Sequence, residues 1–163
     1  LSQLLLLYRN IHFTLISPTE LRMPESIVSN LQAAGHEVTE TEEMEQGLQD
    51  NDTVYLTRIQ EERFDSKLEA DIYRGRFRLN QAIYTRHCQP NTVIMHPLPR
   101  DSRADANELD NDLNRHPSLA IFRQTDNGVL VRMALFALIL DVADKIEDTA
   151  SEVSWYTESR FEE

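Results

Sequence analysis

The stretch Thr92-Val-Ile-Met-His-Pro-Leu-Pro-Arg100 decides how this chain folds. Thr92 to Met95 is apolar and β-branched, as a buried strand requires. Pro97 and Pro99 donate no backbone hydrogen bond, so a sheet ladder must stop there. A stiff loop leaving the end of a buried strand is where open α/β sheets keep their ligands. The prolines rigidify that loop and leave the carbonyls around Leu98 free to face a ligand. Leu98-Pro99 is also a candidate cis peptide. A strand-terminating turn without chemistry accounts for the same residues.

Outward from this stretch, strand and helix patterns alternate. Ile11 to Ile16 and Thr53 to Thr57 read as strands, and Glu37 to Thr39 as a short one. Met23-Pro24 opens a helix with Ile27, Val28, Leu31 and Ala34 on its apolar side and Gly35 as a left-handed cap. Glu40 to Asp50 predicts an acidic amphipathic helix carrying Met44 and Leu48. Asp65 to Gly75 is partly helical, Phe77 to Leu79 is extended, and Asn80 caps a helix through Arg86. Arg100 to Pro117 is a long polar loop with one helical turn. Leu119 to Phe122 is extended. Asn127-Gly128 is a turn that leads into a helix from Val129 to about Ile146. That helix is apolar nearly all round and should be buried on more than one side, which calls for a partner. The alternation predicts a doubly wound parallel sheet of about five strands with helices on both faces. The domain is expected over residues 1–146, with an acidic tail over 147–163 in which Trp155 and Tyr156 are isolated aromatics. Leu1 to Tyr8 reads as the end of a helix. The chain opens without a methionine, so it is expected to be a piece of a longer polypeptide.

Bulk properties narrow the function classes. A chain of 163 residues with 40% apolar side chains can bury a real core. The net charge of −12 disfavours nucleic acid and anionic membrane as partners. Any anionic substrate must then be drawn by a local arginine cluster. Cys88 stands alone, which excludes an internal disulfide and fits the cytoplasm. The longest apolar run, Met133 to Leu140, is too short to span a membrane. His12, His36, His87 and His116 have no ligand spacing, so no metal is expected. No phosphate-binding glycine motif or nucleophilic triad is present, and no cofactor is expected.

Two loops carry the candidate chemistry: Thr57-Arg-Ile-Gln-Glu-Glu-Arg63 and His96-Pro-Leu-Pro-Arg100. Parallel strands place both on one sheet edge. Arg58 offers a planar fork suited to a carboxylate. Gln60 can donate and accept, and Arg100 adds a second cation. Together they suit a small dianionic or zwitterionic ligand. Arg58 and Gln60 could instead belong to a salt-bridge cluster with Glu61 and Glu62. His96 could serve as a base or satisfy a backbone carbonyl.

Three segments in this order and spacing resemble the aspartate carbamoyltransferase family: Val54 to Phe64, Val93 to Arg100, and Phe122-Arg-Gln-Thr-Asp-Asn-Gly-Val-Leu-Val-Arg-Met-Ala-Leu135. Leu21-Arg-Met-Pro24 also matches. The similarity is to the second, aspartate-binding half, from Leu1 to about Leu140. The ornithine branch of the family fits less well, since it carries cysteine where Pro97 stands and lacks the Thr-Arg-x-Gln segment. The family joins carbamoyl phosphate to the amine of L-aspartate in pyrimidine synthesis.

The resemblance implies that Arg58 pairs with an aspartate carboxylate, supported by Gln60. It implies that the carbonyls of Pro97 and Leu98 orient the carbamoyl amide beside Pro99, across a cis Leu98-Pro99 bond. The carbamoyl-phosphate half, a further arginine and a lysine loop from a neighbouring subunit are not in this sequence. The chain alone is therefore expected to be incomplete for catalysis, with a homotrimer expected of the full-length enzyme. The Val129 to Ile146 helix would run against the missing half. The alternative is a truncated, non-catalytic module that binds an amino acid or partners another carbamoyltransferase.

Overall fold

The computed structural model describes residues 1–103, 105–149 and 151. They fall into two compact units, Leu1–Gln124 and Thr125–Glu163.

The first unit begins with α1 (Ser2–Leu5) and β1 (His12–Ile16). Helix α2 (Glu25–Ala33) follows Pro24 and buries Val28 and Leu31. It ends as expected at Gly35, whose φ of 85° is open to a residue without a Cβ. The amides of Gly35 and His36 reach back to Gln32 and Leu31 at 2.9 and 3.1 Å. β2 (Glu37–Thr41) then pairs in parallel with β1, from His12 opposite Glu37 to Ile16 opposite Thr41.

The acidic helix expected over Glu40 to Asp50 is much shorter. Glu40 and Thr41 extend the strand instead, because they pair with Leu15 and Ile16. Thr41 Oγ1 accepts the Glu43 amide at 3.0 Å and turns the chain. Only α3 (Met44–Gly47) remains helical. Met44 and Leu48 are still buried, so the apolar signal pointed to the core correctly.

β3 (Thr53–Tyr55) is next, then a single 3-10 turn at Glu61–Arg63. Helix α4 (Lys67–Tyr73) is capped by Ser66, whose Oγ accepts the Glu69 amide at 3.3 Å. Helix α5 (Gln81–His87) is capped by Asn80, which accepts the Ile83 amide at 2.8 Å. β4 (Val93–Met95) pairs in parallel with β3, Val54 opposite Ile94. Ile94 also bridges Leu119 in parallel, and Leu79 bridges Leu109. The α/β class with parallel strands is therefore as the sequence predicts. The ladder, however, runs as two pairs, β1-β2 and β3-β4, which share no hydrogen-bonded edge among the described residues.

The core gathers around the second pair. Leu48, Leu79, Tyr84, Ile94, Leu109, Leu113 and Ile121 pack into one cluster. The Tyr84 hydroxyl donates to the Thr92 carbonyl at 2.8 Å, so the buried phenol is satisfied. Gly75 closes the turn after α4 with a φ of 70°, and an added Cβ would stand 2.8 Å from the Asp105 carbonyl oxygen. Backbone cannot yield as a side chain can. Gly75→Ala should cost about 1–3 kcal/mol. A urea melt should show a lower midpoint at unchanged slope. An unchanged midpoint would refute this.

Helix α6 (Ile121–Ile139) corrects two expectations. The extended segment is confined to the Leu119 bridge, and helix begins at Ile121. Asn127-Gly128 is not a turn but lies within the helix. An Asn-Gly pair marks a turn where strands flank it. Here helix runs on both sides of the pair, from Ile121 to Ile139, and one internal glycine costs only about 1 kcal/mol.

In the second unit the helix ends at Ile139 rather than near Ile146. Asp141 adopts φ 53°, and its amide reaches Leu138 at 3.2 Å while that of Val142 reaches Ala137 at 2.9 Å. This is a Schellman closure built on aspartate. A 3-10 turn (Ala143–Lys145) and α7 (Ile146–Thr149) follow. From Val129 to Leu140 the large apolar side chains are left uncovered by the described residues of the second unit itself, so the burial expected of this helix is not supplied within that unit. Most of the acidic tail, including Trp155 and Tyr156, lies outside the described residues.

Candidate functional site

β3 and β4 are adjacent and parallel, so the loops that follow them leave on the same edge. The Leu56 amide donates to the Met95 carbonyl at 2.9 Å and carries the pairing one residue further. Arg103 then ties the two loops together. Its guanidinium reaches Glu61 on the first loop at 2.7 and 3.3 Å. It also grips Asp101 on the second, at 2.6 Å from Nη2 and 3.0 Å from Nε.

The electrostatics follow from that clamp. The Arg103 guanidinium lowers Glu61 and takes Asp101 from 3.8 to about 2, with Arg58 adding a smaller attraction to Asp101. The reciprocal pull raises Arg103. A depressed carboxylate contributes stability that is present above its ordinary pKa and lost as pH falls through the folded value. Asp101 should therefore hold Arg103 down to about pH 2. Carboxyl NMR of Asp101 should titrate there, and a midpoint near 3.8 would show that the clamp does not form.

Each expected site residue has a definite place. Arg58 is exposed and pairs with Glu62 at 2.9 Å. The Gln60 side-chain oxygen accepts from Arg63 at 3.1 Å. The alternative of a local cluster is thus partly realised, with Arg58 on Glu62 and Glu61 turned to Arg103. The Arg58–Glu62 pair is solvent-facing, and exposed ion pairs contribute about 0–1 kcal/mol. A ligand carboxylate can displace Glu62. Leu98-Pro99 is cis, and Leu98 has φ 55°. Pro97 and Pro99 are exposed and Leu98 half-buried. Arg100 donates to Asn114 Oδ1 at 2.9 Å. Leu98, Pro99, Arg100 and Arg103 border a cavity of about 850 Å³.

Sequence reasoning missed the residues beneath the loop. The Gln124 amide oxygen accepts the His96 backbone N–H at 3.1 Å, and its nitrogen donates to the Tyr55 hydroxyl at 3.2 Å. One glutamine thus links the ends of β3 and β4. The His96 side chain is buried, and its ring is engaged by the Leu98 amide and Glu108 rather than by a backbone carbonyl. Its Nδ1 accepts the Leu98 amide at 2.8 Å, and its Nε2 stands 2.7 Å from Glu108 Oε1. The latter contact has the distance of a hydrogen bond but a bent angle. Both side chains are almost wholly buried, at 1% and 2% exposure. Burial favours a protonated Glu108, but His96 and backbone amides outweigh it and hold the carboxyl below its ordinary range.

Nothing marks Glu108 or Gln124 in the sequence, since each lies in a polar stretch among similar residues. The buried His96 was the available signal, because a buried imidazole needs partners. Burial raises the Cys88 thiol to about 11, so it is a poor nucleophile. Among the described residues no group of side chains could hold a metal ion. No described helix is long and apolar enough to cross a membrane.

Arg58 and Gln60 have the donors for a carboxylate and leave on the same edge as the loop after β4, while the cavity itself is bordered by Leu98, Pro99 and Arg100 and by neither Arg58, Gln60 nor Pro97. The family model for the Asp/Orn-binding domain of aspartate/ornithine carbamoyltransferase matches residues 2–139. The chain belongs to that family. Within it, the aspartate carbamoyltransferase catalytic subunit of Cellvibrio japonicus is 66% identical over 160 residues, covering 98% of this chain and 47% of that protein. The corresponding subunit of Saccharophagus degradans is 63% identical over 161 residues, covering 99% of this chain and 48% of that protein. The chain spans about half the length of the curated relatives it matches. Among solved structures, the M. Jannaschii aspartate transcarbamoylase catalytic subunit superposes with a TM-score of 0.68 at 34% identity, covering 91% of this chain and 44% of that one.

Proposed function

We propose that this chain is the aspartate-binding half of an aspartate carbamoyltransferase. The observation that carries the reading is the convergence of Arg58-Ile-Gln60 and Pro97-Leu-Pro99 on one sheet edge, joined through Arg103. Arg58 pairs with a carboxylate of L-aspartate, and Gln60 supports it. The carbonyls of Pro97 and Leu98 orient the carbamoyl amide beside Pro99, and Arg100 adds positive charge. The aspartate amine attacks the carbamoyl carbon, the new C–N bond forms, and the C–O bond to phosphate breaks. Holding both reactants in line supplies the acceleration, with no covalent enzyme intermediate.

Carbamoyl phosphate is gripped by a half that lies outside these residues. The full-length enzyme is a homotrimer acting in the cytoplasm, at an early step of pyrimidine synthesis. The exposed apolar side chains of α6 support a missing half, since a patch of that kind seeks cover. A turnover assay tests the division of labour. The chain alone, given carbamoyl phosphate and L-aspartate, should release no carbamoyl-aspartate. Product from the chain alone would overturn the reading.

A further inference from the structure

We infer that His96 and Glu108 are a positioning pair that sets the Pro97 carbonyl of the loop after β4, because that carbonyl shares a peptide plane with the Leu98 N–H. Hydrogen-bond direction carries the argument. Nδ1 of His96 accepts the Leu98 N–H at 2.8 Å, so that nitrogen holds no proton. The ring is then the neutral tautomer with its proton on Nε2, and Nε2 faces the buried Glu108 carboxylate at 2.7 Å. An imidazolium would set an Nδ1–H against the Leu98 N–H, two donors face to face.

Glu108 therefore selects the tautomer, and the tautomer supplies the acceptor. The acceptor fixes the Pro97–Leu98 peptide plane, directly before a Leu98 whose φ of 55° is one that aliphatic residues rarely adopt. The same carboxylate accepts the Asp101 amide at 3.2 Å, so one buried group anchors both ends of the loop. Its own chain is held in turn, because the Glu108 carbonyl accepts the Leu79 amide at 2.8 Å. What the Pro97 carbonyl does for a carbamoyl group rests on the function proposed above; the arrangement that holds it does not.

The test separates the two nitrogens of the ring. Long-range proton–nitrogen NMR of the unsubstituted chain should show His96 at neutral pH protonated on Nε2 and bare on Nδ1. A proton on Nδ1 would overturn the inference. His96→Asn keeps an acceptor close to where Nδ1 stood, whereas His96→Gln extends its amide to the place of Nε2, where its nitrogen donates to Glu108 and no acceptor is left for the Leu98 amide. The Leu98 amide should stay protected from hydrogen exchange in the asparagine variant and exchange about tenfold faster in the glutamine one. A side chain that merely fills space predicts equal loss in both, and that result also overturns the inference. L-aspartate titrated into the unsubstituted chain is read alongside. If it does not bind while the tautomer and exchange results hold, the pair stands and the functional reading falls.

Discussion

Arg58→Ala should weaken L-aspartate binding to this chain by about tenfold to a hundredfold in a calorimetric titration. A hydrogen bond to a charged group contributes about 1.5–3 kcal/mol, and 1.4 kcal/mol is a factor of ten. The size of the loss follows from where Arg58 sits. Its present partner Glu62 is an exposed neighbour four residues on, at 2.9 Å, and holds it loosely. A ligand carboxylate offers bidentate geometry that an i,i+4 glutamate on a short turn does not. Removing the guanidinium leaves Glu62 in water and disturbs no core contact, so the fold should survive. Arg58→Lys keeps the charge but loses the fork, and should recover only part of the affinity. Equal binding by the alanine variant would remove Arg58 from the site.

Glu108→Ala should be the most destabilising change in the site region, since each buried donor that it leaves unsatisfied costs about 1–3 kcal/mol. It removes the partner of a buried histidine and leaves the Asp101 amide without its acceptor. For a chain of this size each kcal/mol lowers Tm by about 2–4 °C, so calorimetry should show a fall of about 10 °C. The acid limb of stability should change as well. The folded Glu108 carboxyl lies below its ordinary value, so its contribution is complete above about pH 4.5 and is lost as pH falls through the folded value. The alanine variant should lack that part of the pH dependence. A variant as stable as the parent would mean that the pair holds nothing.

The sequence revealed elements that depend on local chemistry. Asn80 and Gly35 cap helices as predicted, Val93–Met95 is a strand, and the cis Leu98-Pro99 bond is present. The errors fell where longer-range pairing competes with local pattern. Glu40 and Thr41 are helix-compatible alone, yet β1 offers them a parallel partner. Asn127-Gly128 signals a turn alone, yet the helix on either side overrides it. The two loops could be placed on one sheet edge from the residues, because arginine, glutamine and proline at strand ends are chemically distinctive. Their supports could not. Glu108 lies 12 residues beyond His96 in a run of acids, and only the folded chain shows which acid turns inward.

The central claim is that the edge formed by Arg58, Gln60 and the Pro97-Leu98-Pro99 loop takes L-aspartate rather than L-ornithine. Calorimetric titration of the chain with each amino acid tests it most directly. Saturable heat with L-aspartate, absent in Arg58→Ala and much weaker with L-ornithine, is the predicted result. Preference for L-ornithine, or no binding of L-aspartate at all, would contradict it.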